Sequence, residues 1–171
     1  MLLDIFYPTW CARSVYELDF EALYRKGFRG IIFDVDNTLV PHDAPADERA
    51  RELFLRLHDI GFRCVLVSNN KEPRVKSFKE DVIYTDYVYK AGKPLKKGYL
   101  AAMERMGTDE RTTLCIGDQI FTDTWGAGRV GIKTILTKPI NPKEEIQIVL
   151  KRIPEKLVLY FFRKSGRKVP W

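Results

Sequence analysis

The 171-residue sequence predicts an α/β protein with a doubly wound, Rossmann-like parallel sheet of about five strands. Three observations indicate this class: short apolar runs recur, stretches of helical periodicity alternate with them, and polar residues follow several runs directly. Such alternation is typical of parallel sheets, in which each crossover is a helix. The length fits a single domain, which we divide into a lead-in at 1–29, a core at 30–137 and a basic helical tail at 138–171.

Each element has its own signal in the sequence. Residues 30–34 form a short β-branched run that ends in an acid, as expected of a buried strand. Apolar residues recur at helical spacing before Gly61, where a helix is expected to stop. The predicted strands lie at 30–34, 63–67, 83–89, 113–116 and 132–136, and the predicted helices lie at 46–60, after Pro73, from Pro94 to Gly107 and at 121–128. The tail predicts one or two helices that break at Pro154.

Composition excludes several classes of protein. No apolar run approaches the roughly 20 residues that span a bilayer, and the first residues lack the basic region of a secretory signal. Cys11, Cys64 and Cys115 are far apart, which predicts reduced, mostly buried thiols and neither a disulfide framework nor a zinc site. We therefore expect a cytoplasmic protein.

The positive charge is concentrated at one end of the chain. Residues 133–171 hold 10 Lys and Arg against 3 Glu, in a chain whose net charge is +6. A basic end with aromatic residues is typical of a segment that contacts an anionic partner such as a lipid surface or nucleic acid, although most such ends are only solvated. We expect no nucleic-acid partner and predict a peripheral contact between this tail and the inner face of a membrane.

Asp34 and Asp36 follow the first predicted strand, at the edge where open α/β sheets bind ligands. Unpaired buried charge is costly, so two carboxylates at this position indicate a divalent cation. A calcium loop would need glycine and glutamate at its sixth and twelfth positions, which here hold Leu39 and Pro45. The residues favour Mg²⁺ and chemistry on a phosphate, with a helix cap beside a solvated acid as the structural alternative.

Further polar residues follow the later strands or lie in nearby loops: Thr38, Ser68, Lys93, Asp118 and Asp123. His42, just after the acidic pair, is a weaker candidate for the same site. Residues 126–131 match the dinucleotide fingerprint G-x-G-x-x-G. They precede a strand instead of opening a helix, so turns and close packing explain these glycines better.

This order of motifs resembles the haloacid dehalogenase (HAD) superfamily of phosphotransferases. Its four motifs match FDVDNTL, VLVS, the lysine of GKP, and CIGDQIFTD in this sequence. The sequence also resembles the YqeG-type subfamily IIIA across most of its length. The segments that carry this resemblance are YELDFEALYRKGFRGIIFDVDNTLV, LVSNNKEPRVKSF, KAGKP and IGDQIFTDTWGAGRVGIKTILT. That group is similar to mitochondrial and plastid phosphatidylglycerophosphate phosphatases.

The resemblance implies a role for each of these residues. The catalytic residues would be Asp34 as nucleophile, Asp36 as general acid and base, Ser68 and Lys93. The metal ligands would be Asp34, Asp36 through its backbone carbonyl, Asp118, and Asp123 either directly or through water. The substrate would contact Thr38, Ser68, Asn69, Arg74 and Lys93. The neighbouring carboxylate of Asp34 would keep Asp36 neutral.

The resemblance also implies a reaction, which is Mg²⁺-dependent hydrolysis of phosphatidylglycerophosphate to phosphatidylglycerol through an aspartyl-phosphate. The gaps from Thr38 to Ser68 and from Ser68 to Lys93 each leave room for one helix and one strand, so no cap domain is expected. An open site suits a lipid headgroup or a phosphate on a macromolecule, unless a homo-oligomer supplies the lid. The alternatives are a phosphatase for a soluble metabolite, nucleotide or phosphoprotein, a phosphoacceptor signalling domain, and a non-catalytic adaptor.

Overall fold

A single sheet organises the computed structural model, which describes residues 2–141 and 146–170. The strands are β1 Trp10–Ala12, β2 Gly30–Phe33, β3 Arg63–Val67, β4 Thr85–Val88, β5 Thr113–Gly117 and β6 Lys133–Thr137. The helices are α1 Phe20–Arg25, α2 Glu48–Ile60, α3 Glu72–Asp81, α4 Lys96–Met106, α5 Trp125–Gly128 and α6 Ile146–Lys164. Two 3₁₀ turns, Leu2–Phe6 and Val15–Glu17, and a π-helical turn, Ile120–Thr124, accompany them.

All strand pairings are parallel, and the strands lie in the order β1-β6-β5-β2-β3-β4. The chain moves outward from β2 to β3 and β4 and then crosses back to build β5 and β6 on the other side. The winding therefore reverses beside β2, and ligands of open α/β sheets bind at such a reversal. The predicted doubly wound parallel sheet is confirmed.

The central strand β2 is buried on both faces. Ile31 and Phe33 belong to the core layer that contains Phe54 of α2, and the Phe33 and Phe54 ring centroids are 5.3 Å apart. Ile32 points to the opposite layer, where it packs with Tyr99 of α4. Each fully buried side chain of this kind contributes about 1.5–3 kcal/mol. A shift of register would exchange the two faces, so the position of the residue after β2 is well fixed.

The sixth strand, β1, lies in the lead-in segment and was not predicted. Its three residues pair with β6 at the edge of the sheet, with Trp10 opposite Ile135. A run of three residues carries no measurable periodicity. The strand therefore depends on a partner that lies far along the chain.

The basic tail forms one helix where the sequence predicted a break. α6 runs through Pro154, although proline removes one helical hydrogen bond. Val158 packs with Ile120 and Leu136 on the body of the protein, and the Phe162 ring centroid lies 5.2 Å from that of Tyr7. This packing compensates for the lost bond. Among the described residues, none of the helices has the length and apolar character that a membrane-spanning helix needs.

The predicted absence of a cap domain is confirmed. Residues 38–67 contain α2 and β3, and residues 68–93 contain α3 and β4. Neither segment holds an inserted domain, so the carboxyl edge of the sheet beside β2 and β3 is open.

Candidate active site

Asp34 stands directly after β2 at the carboxyl edge of the sheet. Its backbone N–H donates to the Ile116 carbonyl of β5 over 2.9 Å, which continues the pairing of the two strands by one residue. The residue is buried, with 9% of its surface exposed. Its carboxyl group is therefore positioned by the sheet itself and not by a mobile loop.

Two further carboxylates meet Asp34 at this edge. Asp118 follows β5 and Asp123 lies in the π-helical turn, and both are 2% exposed. One carboxylate oxygen from each of the three residues lies within 4.8 Å of the others. The predicted convergence of acids from two neighbouring strands is therefore present in the structure.

Lys93 provides a positive charge inside this cluster. Its Nζ atom lies 2.5 Å from Asp34 Oδ1 and 2.7 Å from Asp123 Oδ1. Burial lowers the pKa of Lys93, but the Asp123 and Asp34 carboxylates outweigh burial and raise that pKa well above its ordinary value. Burial raises the pKa of Asp34 well above its usual range, against the opposing effect of Lys93. Further positive charge would return Asp34 to its nucleophilic, ionised form.

The donor set fits a divalent cation. The carboxylate oxygens of Asp34, Asp118 and Asp123 lie within 4.8 Å of one another, and Lys93 Nζ contacts those of Asp34 and Asp123. Buried like charges are costly unless they are compensated. Carboxylate oxygens are the ligands that Mg²⁺ prefers in proteins. Thr38 Oγ1 donates to Asp118 Oδ1 over 3.2 Å and so orients one of these ligands.

Gly117 allows Asp123 to reach the cluster. A Cβ atom at position 117 would lie only 2.3 Å from the Asp123 carboxyl carbon, so a larger residue would displace that side chain. The Gln119 N–H donates to Asp123 Oδ2 over 3.1 Å and holds the carboxylate from the other side. The sequence analysis gave Gly117 no role. A glycine at the end of a β-branched strand was the available signal, since it often marks a close approach.

Asp36 faces a different set of partners. Its Oδ1 accepts from Arg74 Nη2 and from the Asp43 N–H, each over 2.9 Å, and its Oδ2 accepts from Asn70 Nδ2 over 2.5 Å. We expected the carboxylate of Asp34 to keep Asp36 neutral. That expectation stays a prediction, and the structure adds Arg74 as a direct partner of the Asp36 carboxyl group. Arg74 Nε is also buried, with no hydrogen-bond partner among the described residues.

Asn69 links the loop after β3 to the segment that carries the lysine. Its Oδ1 accepts from the Lys93 N–H over 2.7 Å, and its Nδ2 donates to the Lys93 carbonyl over 3.2 Å. The neighbouring Ser68 Oγ accepts from the Asn70 N–H over 3.1 Å. Asn69 therefore positions Lys93, a function that the predicted substrate contact did not include.

An open cavity of about 170 Å³ connects these groups. It is lined by Asp34, Asp36, His42, Ser68, Asn69, Asn70, Lys93, Gln119 and Thr122. The structure thus brings five of the predicted site residues to one cavity, and His42 with them. The other four predicted residues do not line the cavity but are linked to residues that do, directly or through Asp118. Asp118 and Asp123 meet Asp34, Thr38 donates to Asp118, and Arg74 donates to Asp36. Asn70, Gln119 and Thr122 were missed, although the first two directly follow predicted site residues.

Comparison with known proteins identifies the family of the chain. A family model described as haloacid dehalogenase-like hydrolase matches residues 42–131, which is more than half of the chain. This range contains Ser68, Lys93, Asp118 and Asp123 but begins after Asp34 and Asp36.

Two relatives extend the match to the first motif. "Probable phosphatase YqeG" of Bacillus subtilis (strain 168) is 34% identical over 172 residues, which cover 100% of this chain and 99% of that protein. "Phosphatidylglycerophosphate phosphatase 1, chloroplastic/mitochondrial" of Arabidopsis thaliana is 29% identical over 177 residues. That match covers 95% of this chain and 50% of the plant protein, so the chain spans about half of its length.

Solved structures support the fold. The cobalt-bound deoxy-D-mannose-octulosonate 8-phosphate phosphatase of Haemophilus influenzae has a TM-score of 0.53 at 16% identity, covering 66% of this chain and 69% of that one. The family predicted from the motifs is confirmed by the family model and by the full-length bacterial relative. The chain belongs to the haloacid dehalogenase-like hydrolases, as an enzyme of the HAD phosphatase type.

Proposed function

We propose that this protein is a Mg²⁺-dependent phosphomonoester hydrolase that works through an aspartyl-phosphate on Asp34. The observation that carries the proposal is the meeting of Asp34, Asp118 and Asp123 at the open edge of the sheet, with Lys93 in contact with Asp34 and Asp123. A fixed carboxylate next to an ammonium is suited to attack an anionic phosphate, because the cation offsets the repulsion between the two.

In the first step, a carboxylate oxygen of Asp34 attacks phosphorus, and the bond between phosphorus and the ester oxygen breaks. Asp36 donates a proton to the departing oxygen, so that the alcohol leaves in neutral form. The cationic Arg74 and the amide of Asn70 hold the Asp36 carboxyl group at the cavity wall. Because Ser68 Oγ accepts from the Asn70 N–H, its own hydrogen can be donated to a phosphoryl oxygen.

In the second step, water attacks the phosphorus of the aspartyl-phosphate. Asp36 now accepts a proton from that water, phosphate leaves, and the Asp34 carboxylate is restored. Splitting the hydrolysis into two displacements replaces one difficult step by two easier ones. Lys93 stays beside the reacting oxygen throughout and offsets its charge.

Asp34, Asp118, Asp123 and the backbone carbonyl of Asp36 would hold the Mg²⁺ ion. When bound, the ion supplies the positive charge that the transferring phosphoryl group and the cluster both require. The meeting of three carboxylate oxygens within 4.8 Å of one another supports a divalent ion here, because Mg²⁺ prefers oxygen ligands of this kind.

The proposed substrate is phosphatidylglycerophosphate, and the product is phosphatidylglycerol. The name of the Arabidopsis relative supports this substrate class, and so does the absence of a cap between Thr38 and Lys93. A capless site can approach a phosphate that stays embedded in a lipid surface. A capped site would first have to enclose the substrate.

The test is phosphate release by the purified protein from a panel of substrates with Mg²⁺. The panel contains phosphatidylglycerophosphate in mixed micelles, a sugar phosphate, a nucleotide and a phosphopeptide. We expect the highest kcat/KM for phosphatidylglycerophosphate. Activity on other members with none on this lipid would refute the substrate, and no Mg²⁺-dependent release from any member would refute the hydrolase.

A further inference from the structure

Helix α6 carries apolar side chains on two opposite faces. Val158 and Phe162 are 4% and 2% exposed and pack against the body of the protein. Ile153, Leu157 and Tyr160 are 64%, 56% and 50% exposed. At about 3.6 residues per turn these three fall on one line along the helix, on the side away from the buried pair. We call Ile153, Leu157 and Tyr160 the outer stripe.

The exposed charges around the outer stripe have a single sign. Lys156 and Lys164 are exposed and fall on the side of α6 that carries the outer stripe, and we call these two lysines its basic border. Arg167, by contrast, lies over the rings of Tyr7 and Phe162 on the inner side. The acidic residue between 153 and 170, Glu155, is 5% exposed and faces the protein. Lys164 Nζ lies 5.0 Å from the Tyr160 ring centroid, so basic and apolar groups are in direct contact. An exposed apolar stripe with basic neighbours is typical of helices that lie on anionic lipid.

The inner face of α6 is attached to the loop that carries two of the acids. A carboxylate oxygen of Glu155 accepts from the Ile120 N–H over 2.7 Å, and Ile120 packs on Val158. Gln119, the preceding residue, lines the cavity of the site. A surface that binds the outer face of α6 would therefore be separated from this loop by the diameter of one helix, about 10 Å.

We propose that the outer stripe and its basic border dock the protein on an anionic lipid bilayer. Apolar side chains enter the headgroup region, and the basic residues contact lipid phosphates. A second copy of this chain is a poorer occupant, because it would bring like charges together along the same face. The inference rests on the proposed function, because docking on lipid serves catalysis only if the substrate phosphate belongs to a lipid.

The test measures binding of the full chain to vesicles of phosphatidylglycerol and phosphatidylcholine, and to vesicles of phosphatidylcholine alone. Replacing Ile153 and Leu157 together by Gln removes two exposed contacts without disturbing the buried face. Leu100→Gln on α4 is the matched control, because Leu100 is 51% exposed. We expect binding to the anionic vesicles to weaken about tenfold or more in the double variant and to stay unchanged in the control.

Hydrolysis of p-nitrophenyl phosphate in solution is measured on the same three proteins and separates the two proposals. Equal soluble activity in all three, with lost vesicle binding in the double variant, supports docking. Equal vesicle binding in all three would overturn docking while the hydrolase stands. Absence of soluble activity from every protein would instead count against the proposed function and leave the vesicle comparison valid. A dimer that the double variant dissociates, seen by light scattering, would assign the stripe to a second copy and overturn docking.

Discussion

The two ends of the sheet both carry charged side chains, but these side chains differ in their burial and in their partners. At the carboxyl end, three buried carboxylates lie together, and Lys93 contacts two of them, those of Asp34 and Asp123. At the amino end, Arg29 and Arg63 border a larger cavity of about 600 Å³. Arg29 Nη1 donates to the carbonyls of Tyr24 and Phe28 over 2.8 and 2.7 Å, and Arg63 Nη1 donates to the Met106 carbonyl over 2.5 Å.

The difference distinguishes a structural end from a functional one. Tyr24 and Met106 lie at the carboxyl ends of α1 and α4, so both arginines complement helix ends, and they remain exposed. Their charges therefore stabilise the fold at little cost. The buried carboxylates repel one another and oppose folding, and such a cost at one end alone indicates a function there. We therefore propose the smaller cavity as the site, although the other is larger.

The largest expected effect is a loss of kcat on substitution at the carboxyl end of the sheet, with little change on substitution at the amino end. Asp34→Asn keeps the shape of the side chain but removes the nucleophile, so kcat for a phosphomonoester should fall by about 10³-fold or more. Arg63→Met at the amino end should leave kcat within about twofold, because the Arg63 side chain donates to the end of α4, away from the cluster of acids. Steady-state kinetics on both variants make the comparison. Comparable losses in the two variants would contradict the assignment of the ends.

Removal of the metal should also affect the carboxyl end alone. Dialysis against a chelator should abolish hydrolysis, and added Mg²⁺ should restore it. Mg²⁺ at 100 times its Kd should stabilise the wild-type protein by about 2.7 kcal/mol. Thermal unfolding with and without Mg²⁺ measures this difference, which should be much smaller in Asp118→Asn. An equal rise in Tm for that variant would place the ion elsewhere.

Gly117→Ala should disturb the site through packing. The added Cβ would meet the Asp123 carboxyl group at 2.3 Å, so we expect kcat/KM to fall by about 10²-fold, the typical effect of misplacing a reacting group by an ångström. Gly128→Ala is the matched control, because a Cβ there meets nothing within 4 Å. Kinetics and Mg²⁺ affinity are compared between the two. Full activity in Gly117→Ala would show that Asp123 need not lie where the structure places it.

The smallest expected effects are two changes in the free energy of unfolding that have opposite signs. In chelator, Asp118→Asn should raise the free energy of unfolding by about 1 kcal/mol, because one of the repelling charges is lost. Arg63→Met should lower it by about 1 kcal/mol, because the Met106 carbonyl loses a donor. Urea unfolding of both variants gives the two differences. Destabilisation by both changes would remove the contrast between the ends of the sheet.

The parts of the site that could be predicted from the sequence are those set by local pattern. β2 is buried on both faces, so it forms a continuous apolar run, and the acids after it are found by position alone. Asp118 could be predicted in the same way, because it directly follows β5, which is also buried throughout. The order of such residues along the chain then supported a single site, because the carboxyl ends of parallel strands lie at one edge.

The parts that could not be predicted depend on partners far along the chain. β1 exists through its pairing with β6, and α6 continues past Pro154 through its contacts with Ile120 and Tyr7. The partner of Asp36 is Arg74, a contact that no spacing rule defines. Local patterns predict which residue types follow each strand, whereas tertiary contacts determine which of these side chains form ion pairs.

The most direct measurement looks for phosphate on Asp34. The protein is mixed with a phosphomonoester and Mg²⁺, quenched in acid within one turnover, reduced with borohydride and digested for peptide mass spectrometry. Borohydride converts an aspartyl-phosphate to homoserine, and the account predicts that conversion at position 34 and its absence in Asp34→Asn. Conversion at another residue, or turnover with no conversion at all, would contradict the account.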